Sequence, residues 1–347
     1  MVRSKIFILK NAYLYPVSAR FKKEHHNPYL ESFMNSVEED FVFLNRNSPS
    51  NKGLFDIFKY LRKIDYVFFH WAENICERKF GLMQTFLLFI LLPVLKLKRV
   101  NIIYTVHNKV SHTNNHYKLK KLISKTLIKY STCIITHAKD GIPFINSLVK
   151  KKNNIVFFPH PVMDERPFPD VKKDIDVLIW GSIAPYKGIH NFLEQIAKKD
   201  FSEKWKIVIA GKISSKAYSQ KILSIINPNV KIIDEYIEED QLKELIARSK
   251  IVLFPYHADT ILSSGAFAKT IIFPAHIIGP RCGSFSDFDD FEHVDTFSDE
   301  KEMINLIESR LSETNYLNKD FSSKLLNLYS WEKFGFTLSS NLLENNN

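Results

Sequence analysis

The segment GSIAPYKGI, residues 181–189, places two glycines and a lysine between an apolar run and a helical pattern. A loop that leaves a strand and opens a helix lies at the carboxyl edge of a parallel sheet, where ligands bind. Gly181 and Gly188 let a ligand approach the backbone, and the free N–H groups of the helix start attract an anion. Lys187 adds a full positive charge. The segment predicts a diphosphate-binding loop, although its spacing fits an exposed lysine equally well and matches neither a P-loop nor GxGxxG.

Two later loops have a similar composition. TILSSGAF (260–267) follows an apolar run and opens a helix, and GPRCGSF (279–285) follows another apolar run. Ser263 and Ser264 could bind phosphate through hydroxyl and N–H groups, or they could cap the helix. Three glycine-containing loops at one sheet edge favour a ligand site more than any single loop does.

The elements that must position these loops are short apolar runs that alternate with helical patterns. Continuous apolarity is typical of parallel strands that are covered on both faces. The chain therefore predicts an α/β protein with two Rossmann-like, doubly wound domains. The predicted strands cover 5–9, 66–70, 100–107, 133–137, 155–159, 176–180, 205–211, 230–234, 251–255 and, within 270–280, either TIIFP or HIIGP.

A segment with four prolines, residues 159–174, separates the two halves. Proline interrupts regular elements, and the net charge changes sign across the segment, from +14 over residues 1–165 to −4 over the remainder. We expect one domain over 1–165 and a second domain over 166–330 that carries the three loops. We expect a C-terminal helix and polar tail over 331–347 that packs back on the first domain.

The composition limits the class of protein. The chain has 347 residues, 45% of them hydrophobic, which is enough for two cores. Three widely spaced cysteines argue against a disulfide framework and fit a reducing cytosol. The first 16 residues lack the apolar core of a signal peptide and predict a strand instead. The basic first half suggests an anionic lipid, an anionic substrate or nucleic acid as partner, but its aromatic residues lie inside strand runs, which disfavours nucleic acid.

Two segments of the first half could touch a membrane. FLLFILLPVL (86–95) is strongly apolar and is followed by Lys96, Lys98 and Arg99, but it is too short to span a bilayer. Residues 118–130 form a basic amphipathic helix pattern. Both suit a peripheral position on the cytoplasmic face of the cell membrane, although a buried helix and a solvated lysine face explain them as well.

The ordered motifs resemble those of a known family. GSIAPYKG, FPYHADTILSSGAF and IIGPRCGSFSDF together resemble the donor-binding domain of family 4 glycosyltransferases from bacterial surface-polysaccharide clusters, which have the GT-B fold. The first half contains four blocks that resemble the family's acceptor domain in the same order, namely NPYLESFMNSV (27–37), DYVFFHWAEN (65–74), IIYTVHNKVSH (102–112) and FFPHPV (157–162).

The resemblance covers most of the chain and implies two Rossmann-like domains that face each other across a cleft. It implies a retaining, metal-independent transfer without a cofactor, from a UDP- or GDP-sugar on the second domain. The acceptor on the first domain would be a glycan or an isoprenoid-diphosphate-linked glycan of capsule, exopolysaccharide or O-antigen synthesis.

The resemblance also implies roles for single residues. Lys187 would neutralise the donor diphosphate and His107 would lie near the transferred sugar, and these two are the candidate catalytic residues. The donor-binding candidates are Gly181, Ser182, Lys187, Gly188, Thr260, Ser263, Ser264 and Gly265. The acceptor-binding candidates are His70, Trp71, Glu73, Asn108, His112 and His160, with a purely structural role open for each histidine.

Two departures from the family pattern keep other functions open. Ala184 stands where the family loop often has an arginine, and Asp259 is the only acid in 254–270, where the commoner pattern has two glutamates. The alternatives are a catalytically inactive GT-B binding protein, a nucleotide-sugar epimerase of the same fold and a basic nucleic-acid-binding protein.

Overall fold

The computed structural model describes residues 9–16, 28–47, 52–109, 116–150, 154–198, 204–226, 228–258, 261–313 and 320–344. The chain divides into two compact units. The first comprises Met1–Pro159 with Trp331–Asn347, and the second comprises His160–Ser330. The division falls within the proline-rich segment, a few residues before position 165, and the C-terminal helix belongs to the first unit.

The first unit has a six-stranded parallel sheet in the order β2-β1-β3-β4-β5-β6. Its strands are β1 (Lys10–Tyr15), β2 (Phe41–Phe43), β3 (Tyr66–His70), β4 (Asn101–Val106), β5 (Cys133–Thr136) and β6 (Ile155–Phe157). Its helices are α1 (Tyr29–Ser36), α2 (Gly81–Leu97), α3 (Tyr117–Tyr130), α4 (Gly141–Leu148) and α12 (Trp331–Glu344), with 3-10 helices at Gly53–Lys59 and Ala72–Glu77.

The connections of this sheet decide which helices share a face. The crossovers β3-α2-β4 and β4-α3-β5 run one way along the sheet, and β1-α1-β2 runs the other way. Because such crossovers are right-handed, α2 and α3 lie on one face and α1 on the opposite face. α12 packs against α1, so closely that a Cβ at Gly335 would collide with the carbonyl oxygen of Ser36. No helix within the described ranges is long and apolar enough to cross a membrane.

The second unit repeats the architecture, with the strand order β12-β11-β10-β7-β8-β9 and parallel pairing throughout. Its strands are β7 (Ile175–Trp180), β8 (Ile207–Ala210), β9 (Val230–Ile233), β10 (Ser249–Leu253), β11 (His276–Pro280) and β12 (Val294–Phe297). Its helices are α5 (Ile189–Lys198), α6 (Lys216–Leu223), α7 (Glu239–Ala247), α8 (Gly265–Thr270), α9 (Gly283–Ser286), α10 (Glu300–Ser312) and α11 (Asp320–Tyr329).

Strand β7 shows why the strands carry apolar side chains on both faces of the sheet. Successive side chains of a strand point to opposite faces of the sheet. Val177 packs with Ile189 of α5 in one hydrophobic cluster, and Leu178 packs with Phe267 of α8 in the other. Both faces of this sheet are therefore covered, and the prediction of an α/β fold with two doubly wound sheets is confirmed.

The predicted strands of both sheets are present, with two differences. Of the two possibilities within 270–280, only His276–Pro280 is a strand. The segment TIIFP instead contains the end of α8 at Thr270 and the turn that follows, in which the N–H group of Ile271 donates to the carbonyl oxygen of Phe267. The strand predicted at 5–9 lies almost wholly outside the described residues, and β1 begins at Lys10.

Candidate active site

The loop after β7 is shaped by glycines in the left-handed region. Gly181 has φ +96° and Gly188 has φ +66°, and a short 3-10 helix, Pro185–Lys187, lies between them. A Cβ at Gly188 would collide with the carbonyl oxygen of Pro255. The loop therefore packs directly on the backbone that follows β10, and α5 starts immediately afterwards with its free N–H groups at this edge of the sheet.

Lys187 is turned into the protein. It is only 5% exposed, and its Nζ lies 5.2 Å from the ring centroid of Tyr256. The same Nζ would be 2.8 Å from a Cβ at Gly181, so the ammonium group lies against the bend of the loop. The alternative of a solvent-exposed lysine is therefore wrong.

The charge of Lys187 is not balanced by any described carboxylate. Burial lowers the pKa of its ammonium group, and the only described ionisable group that opposes this shift is Tyr186. Other lysines of the chain show the usual arrangement, such as Lys250, whose Nζ lies 2.8 Å from an oxygen of Asp176. A buried ammonium group without a partner costs free energy, and an anionic ligand would remove that cost.

Tyr256 and Ser264 continue the site from Lys187 to α8. Tyr256 is buried, which raises the pKa of its hydroxyl group, and that group shares a hydrogen bond with Ser264. The Ser264 side chain also accepts a hydrogen bond from the N–H group of Phe267 at 3.2 Å. Ser264 thus caps α8, which was one of the two roles that the sequence left open.

The remaining donor-side candidates differ in exposure. Ser182 and Gly265 are exposed, Ser263 is half-buried, and Thr260 lies outside the described residues. The atom nearest to a Cβ at Gly265 would be Nε2 of His160, at 3.9 Å.

His160 belongs to the second unit, although the sequence assigned it to the first domain. Its Nδ1–H group donates to the carbonyl oxygen of Pro161 at 3.0 Å. Burial lowers the pKa of the imidazole to about 4, so the ring is neutral at neutral pH. Lys187, Tyr256, Ser264, Gly265 and His160 thereby form a continuous group at the carboxyl edge of the second sheet.

A pocket of about 320 Å³ opens beside this group. Such a volume is at the lower end of the range for small-molecule sites. Arg281 of the pocket is already paired, because its Nη2 lies 2.5 Å from a carboxylate oxygen of Glu302. The lining residues are Gly188, Asn191, Phe192, Pro255, Tyr256, His257, Ala258, Pro280, Arg281, Phe297, Ser298, Asp299, Glu300 and Met303.

The first unit gathers three histidines at the corresponding edge of its own sheet. His70, His107 and His137 stand at the ends of the neighbouring strands β3, β4 and β5. The ring of Tyr29 makes edge contacts with all three, at centroid distances of 5.5, 4.9 and 5.6 Å. Trp71 stacks on His107 at 4.2 Å and 15°. We call these five side chains the histidine cluster.

Hydrogen bonds link the members of the histidine cluster to one another and to the backbone. The hydroxyl group of Tyr29 lies 2.6 Å from Nε2 of His137, and Nδ1–H of His137 donates to the carbonyl oxygen of Phe158 at 2.8 Å. Nδ1 of His70 and Nε2 of His107 share a hydrogen bond of 3.3 Å. His70 is completely buried, which lowers its pKa to about 3, and its Nε2 has no partner among the described residues.

The other acceptor-side candidates lie in different surroundings. The carboxylate of Glu73 accepts a hydrogen bond from the hydroxyl group of Tyr104 at 2.9 Å, and burial raises its pKa. Asn108 is half-buried, and His112 lies outside the described residues. Sequence reasoning missed Tyr29 and His137. The second could have been found, because CIITH ends on a histidine at the same strand position as YVFFH and IIYTVH.

A family model decides the class of the protein. Residues 164–266 match the model of Glycosyl transferases group 1, a segment that contains Lys187, Tyr256 and Ser264. The chain is a glycosyltransferase. No curated protein sequence matches it. Among the described residues of the glycosyltransferase, no group of three or more histidine, cysteine or acidic side chains could hold a metal ion.

Solved structures show the fold of this glycosyltransferase. HepE from Anabaena, solved with UDP, is 11% identical with a TM-score of 0.69 over 97% of this chain and 100% of that chain. Sucrose-phosphate synthase from Thermosynechococcus elongatus is 11% identical with a TM-score of 0.66 over 98% and 99%. A glycosyltransferase from Rickettsia africae is 12% identical with a TM-score of 0.62 over 97% and 99%. The chain has the GT-B fold.

Proposed function

We propose that the enzyme transfers a sugar from a UDP- or GDP-sugar and binds the donor diphosphate at Lys187. The observation that carries this proposal is the buried ammonium group without a described carboxylate partner. A diphosphate would supply the missing negative charge. The complexes of HepE with UDP and with UDP-glucose support a nucleotide sugar as the donor.

Lys187 and the start of α5 suit the electrostatic demand of the reaction. When the glycosidic bond of the donor breaks, negative charge grows on the leaving nucleoside diphosphate. Fixed positive groups stabilise this charge best in a site that excludes water. The ammonium group and the free N–H groups of α5 can do this without a metal ion. Because Ala184 replaces the family arginine, Lys187 carries more of this task.

We propose a retaining course from the resemblance to family 4. In that course, the acceptor hydroxyl attacks from the side of the leaving group, and a departing phosphate oxygen takes the hydroxyl proton. No enzyme nucleophile is required. His107 would then hydrogen-bond or position the transferred sugar, and the stacked ring of Trp71 fixes the plane of its imidazole.

The proposed acceptor is a glycan or an isoprenoid-diphosphate-linked glycan of bacterial surface-polysaccharide synthesis, bound by the first unit. Trp71 is the half-buried member of the histidine cluster, whose other four side chains are buried, so its ring is the aromatic surface that would contact a sugar. We propose a cytoplasmic location, which the three buried free cysteines support. A lipid-linked acceptor would be met at the inner face of the cell membrane.

A donor screen tests this function. The full chain is incubated with UDP-glucose, UDP-N-acetylglucosamine or GDP-mannose and a mixture of lipid-linked and free glycans, with and without EDTA. We expect release of one nucleoside diphosphate, unaffected by EDTA, and NMR should show that the product keeps the anomeric configuration of the donor. Formation of an epimer without transfer would instead establish the epimerase. Failure to bind any of these nucleotides would contradict the proposal altogether.

A further inference from the structure

Helix α2 has an apolar face that points away from the protein. Leu82 is 66% exposed, Phe86 67% and Leu97 84%, and Met83 and Ile90 are also exposed. The outward face of a surface helix is normally polar, because it meets water. A contiguous exposed apolar surface of this kind marks an interaction site.

The opposite face of α2 packs in the hydrophobic core of the first unit. Leu88, Leu92 and Leu95 are fully buried, and α2 packs against α3, β4 and the two 3-10 helices of the first unit. The exposed residues therefore add nothing to the hydrophobic core of the unit. Packing among the described residues therefore does not explain their apolar character.

The surroundings of this face are positively charged. Residues 78–139 contain twelve lysines and arginines and no acidic residue. On α3, which packs beside α2, the exposed lysines follow helical spacing and form one stripe, namely Lys118, Lys121, Lys125 and Lys129. Lys96, Lys98 and Arg99 are exposed at the end of α2.

We propose that the outer face of α2 docks on an anionic phospholipid bilayer, with the α3 lysine stripe contacting the headgroups. Exposed leucine and phenylalanine side chains reach the boundary of the acyl chains, while lysines along the same surface attract anionic lipids. Since the inner face of α2 is packed on its own unit, the helix lies in the plane of the membrane and only its outer side enters the lipid.

Charge complementarity favours a bilayer over a second copy of the chain. A second copy would bring the same basic residues to the interface, and like charges facing each other cost free energy. Anionic headgroups neutralise the lysine stripe and accept the apolar face at the same time. The proposal does not depend on the donor site, because it concerns residues of the first unit alone.

Vesicle binding of the full chain tests this surface. Cosedimentation is measured with vesicles of phosphatidylcholine alone and of phosphatidylcholine mixed with phosphatidylglycerol. We expect binding to the mixed vesicles that weakens roughly tenfold or more in L82Q/F86Q, because two inserted side chains become polar. K118Q/K121Q should weaken binding by a smaller factor and should reduce its dependence on salt.

The matched control is Phe336→Gln. Phe336 is 74% exposed in α12, which lies with α1 on the opposite face of the sheet, so its variant should bind vesicles like the wild type. Circular dichroism and the melting temperature verify that the first unit of L82Q/F86Q is folded, since both substitutions lie in that unit. If binding is absent, or if Phe336→Gln weakens it as much as L82Q/F86Q does, the proposal is wrong. A dimer that L82Q/F86Q disrupts, without vesicle binding, would overturn it in favour of self-association.

Discussion

At the carboxyl edge of its sheet, the second unit buries a lysine that no described carboxylate balances, whereas the first unit collects histidines that hydrogen-bond and stack with one another. Lys187 is an isolated charge, and burial lowers the pKa of its ammonium group. His70 of the first unit is buried as completely, yet its neutral ring shares a hydrogen bond with His107. The same architecture therefore carries an isolated charge in one unit and a hydrogen-bonded histidine cluster in the other.

The difference indicates how the two substrates would be recognised. A diphosphate carries full negative charge, so a fixed cation and helix N–H groups bind it strongly. A sugar or glycan is neutral, and it is bound by stacking and by neutral hydrogen-bonding groups. Burying an isolated charge destabilises the protein, so such a charge points to ligand binding rather than to folding.

The largest effect is expected at the loop backbone of the charged site. Gly188→Ala places a Cβ on the carbonyl oxygen of Pro255 and forces alanine to adopt φ +66°. We expect a loss of roughly 2–4 kcal/mol in the free energy of unfolding and a clear loss of UDP affinity. Urea unfolding and calorimetry measure both quantities.

Gly265→Ala is the matched control at the same sheet edge. A Cβ there would meet nothing closer than 3.9 Å, so stability should change by less than about 0.5 kcal/mol. If Gly188→Ala and Gly265→Ala changed the free energy of unfolding by the same amount, the conformation assigned to the 181–188 loop would be wrong.

A substitution in the histidine cluster should reduce the rate of sugar transfer without changing the affinity for UDP. His107→Ala removes the imidazole that stacks on Trp71, but it leaves the second unit untouched. We expect kcat/KM for sugar transfer to fall by roughly 10- to 100-fold, as for a lost positioning contact, with unchanged UDP affinity. A parallel loss of UDP affinity would contradict the assignment of donor binding to the second unit alone.

A smaller effect is expected on how the free energy of unfolding depends on pH, because each unit buries a neutral histidine. Burial lowers the pKa of His293 in the second unit to about 4, as it lowers that of His70 in the first to about 3. The unfolded chain takes up a proton near pH 6.5, so the stability is complete above that pH and is lost as the pH falls towards the folded-state pKa.

His293→Gln isolates this contribution. Between pH 7 and pH 5, the wild type should lose about 2 kcal/mol through His293 alone, and the variant should lose that much less. A glutamine amide can still donate to the carbonyl oxygen of Ile271, the present partner of Nε2. An unchanged pH dependence in urea unfolding would show that His293 is not buried in its neutral form.

The sequence predicted what depends on local chemistry. Buried parallel strands consist mainly of apolar residues, so Tyr66–His70 and the apolar part of Ser249–Leu253 were recognisable. β2 was missed because it has three residues, with Val42 exposed between two buried phenylalanines. The glycines at 181 and 188 marked a loop of unusual backbone conformation, and both have positive φ.

The rest depends on residues that are distant in the chain. The sequence could not decide whether Lys187 is buried, because Tyr256 comes from another strand end. The histidine cluster requires three paired strands in register and a tyrosine from α1. A single sequence motif does not show how its strand is aligned with the neighbouring strands. The outward orientation of Leu82 and Phe86 follows from how α2 packs, whereas composition alone fits a buried helix as well.

The central claim is that Lys187 binds the donor diphosphate, and the affinity of the Lys187→Met variant for UDP tests it most directly. Methionine keeps the length of the side chain and removes the buried charge. We predict that UDP binding measured by calorimetry weakens by roughly 10- to 100-fold, the loss of one charge-assisted contact, while the melting temperature of the free protein rises. Lys250→Met, which breaks a paired charge instead, should leave UDP affinity unchanged without raising the melting temperature. UDP affinity within twofold of the wild type in Lys187→Met would contradict the assignment of the diphosphate site.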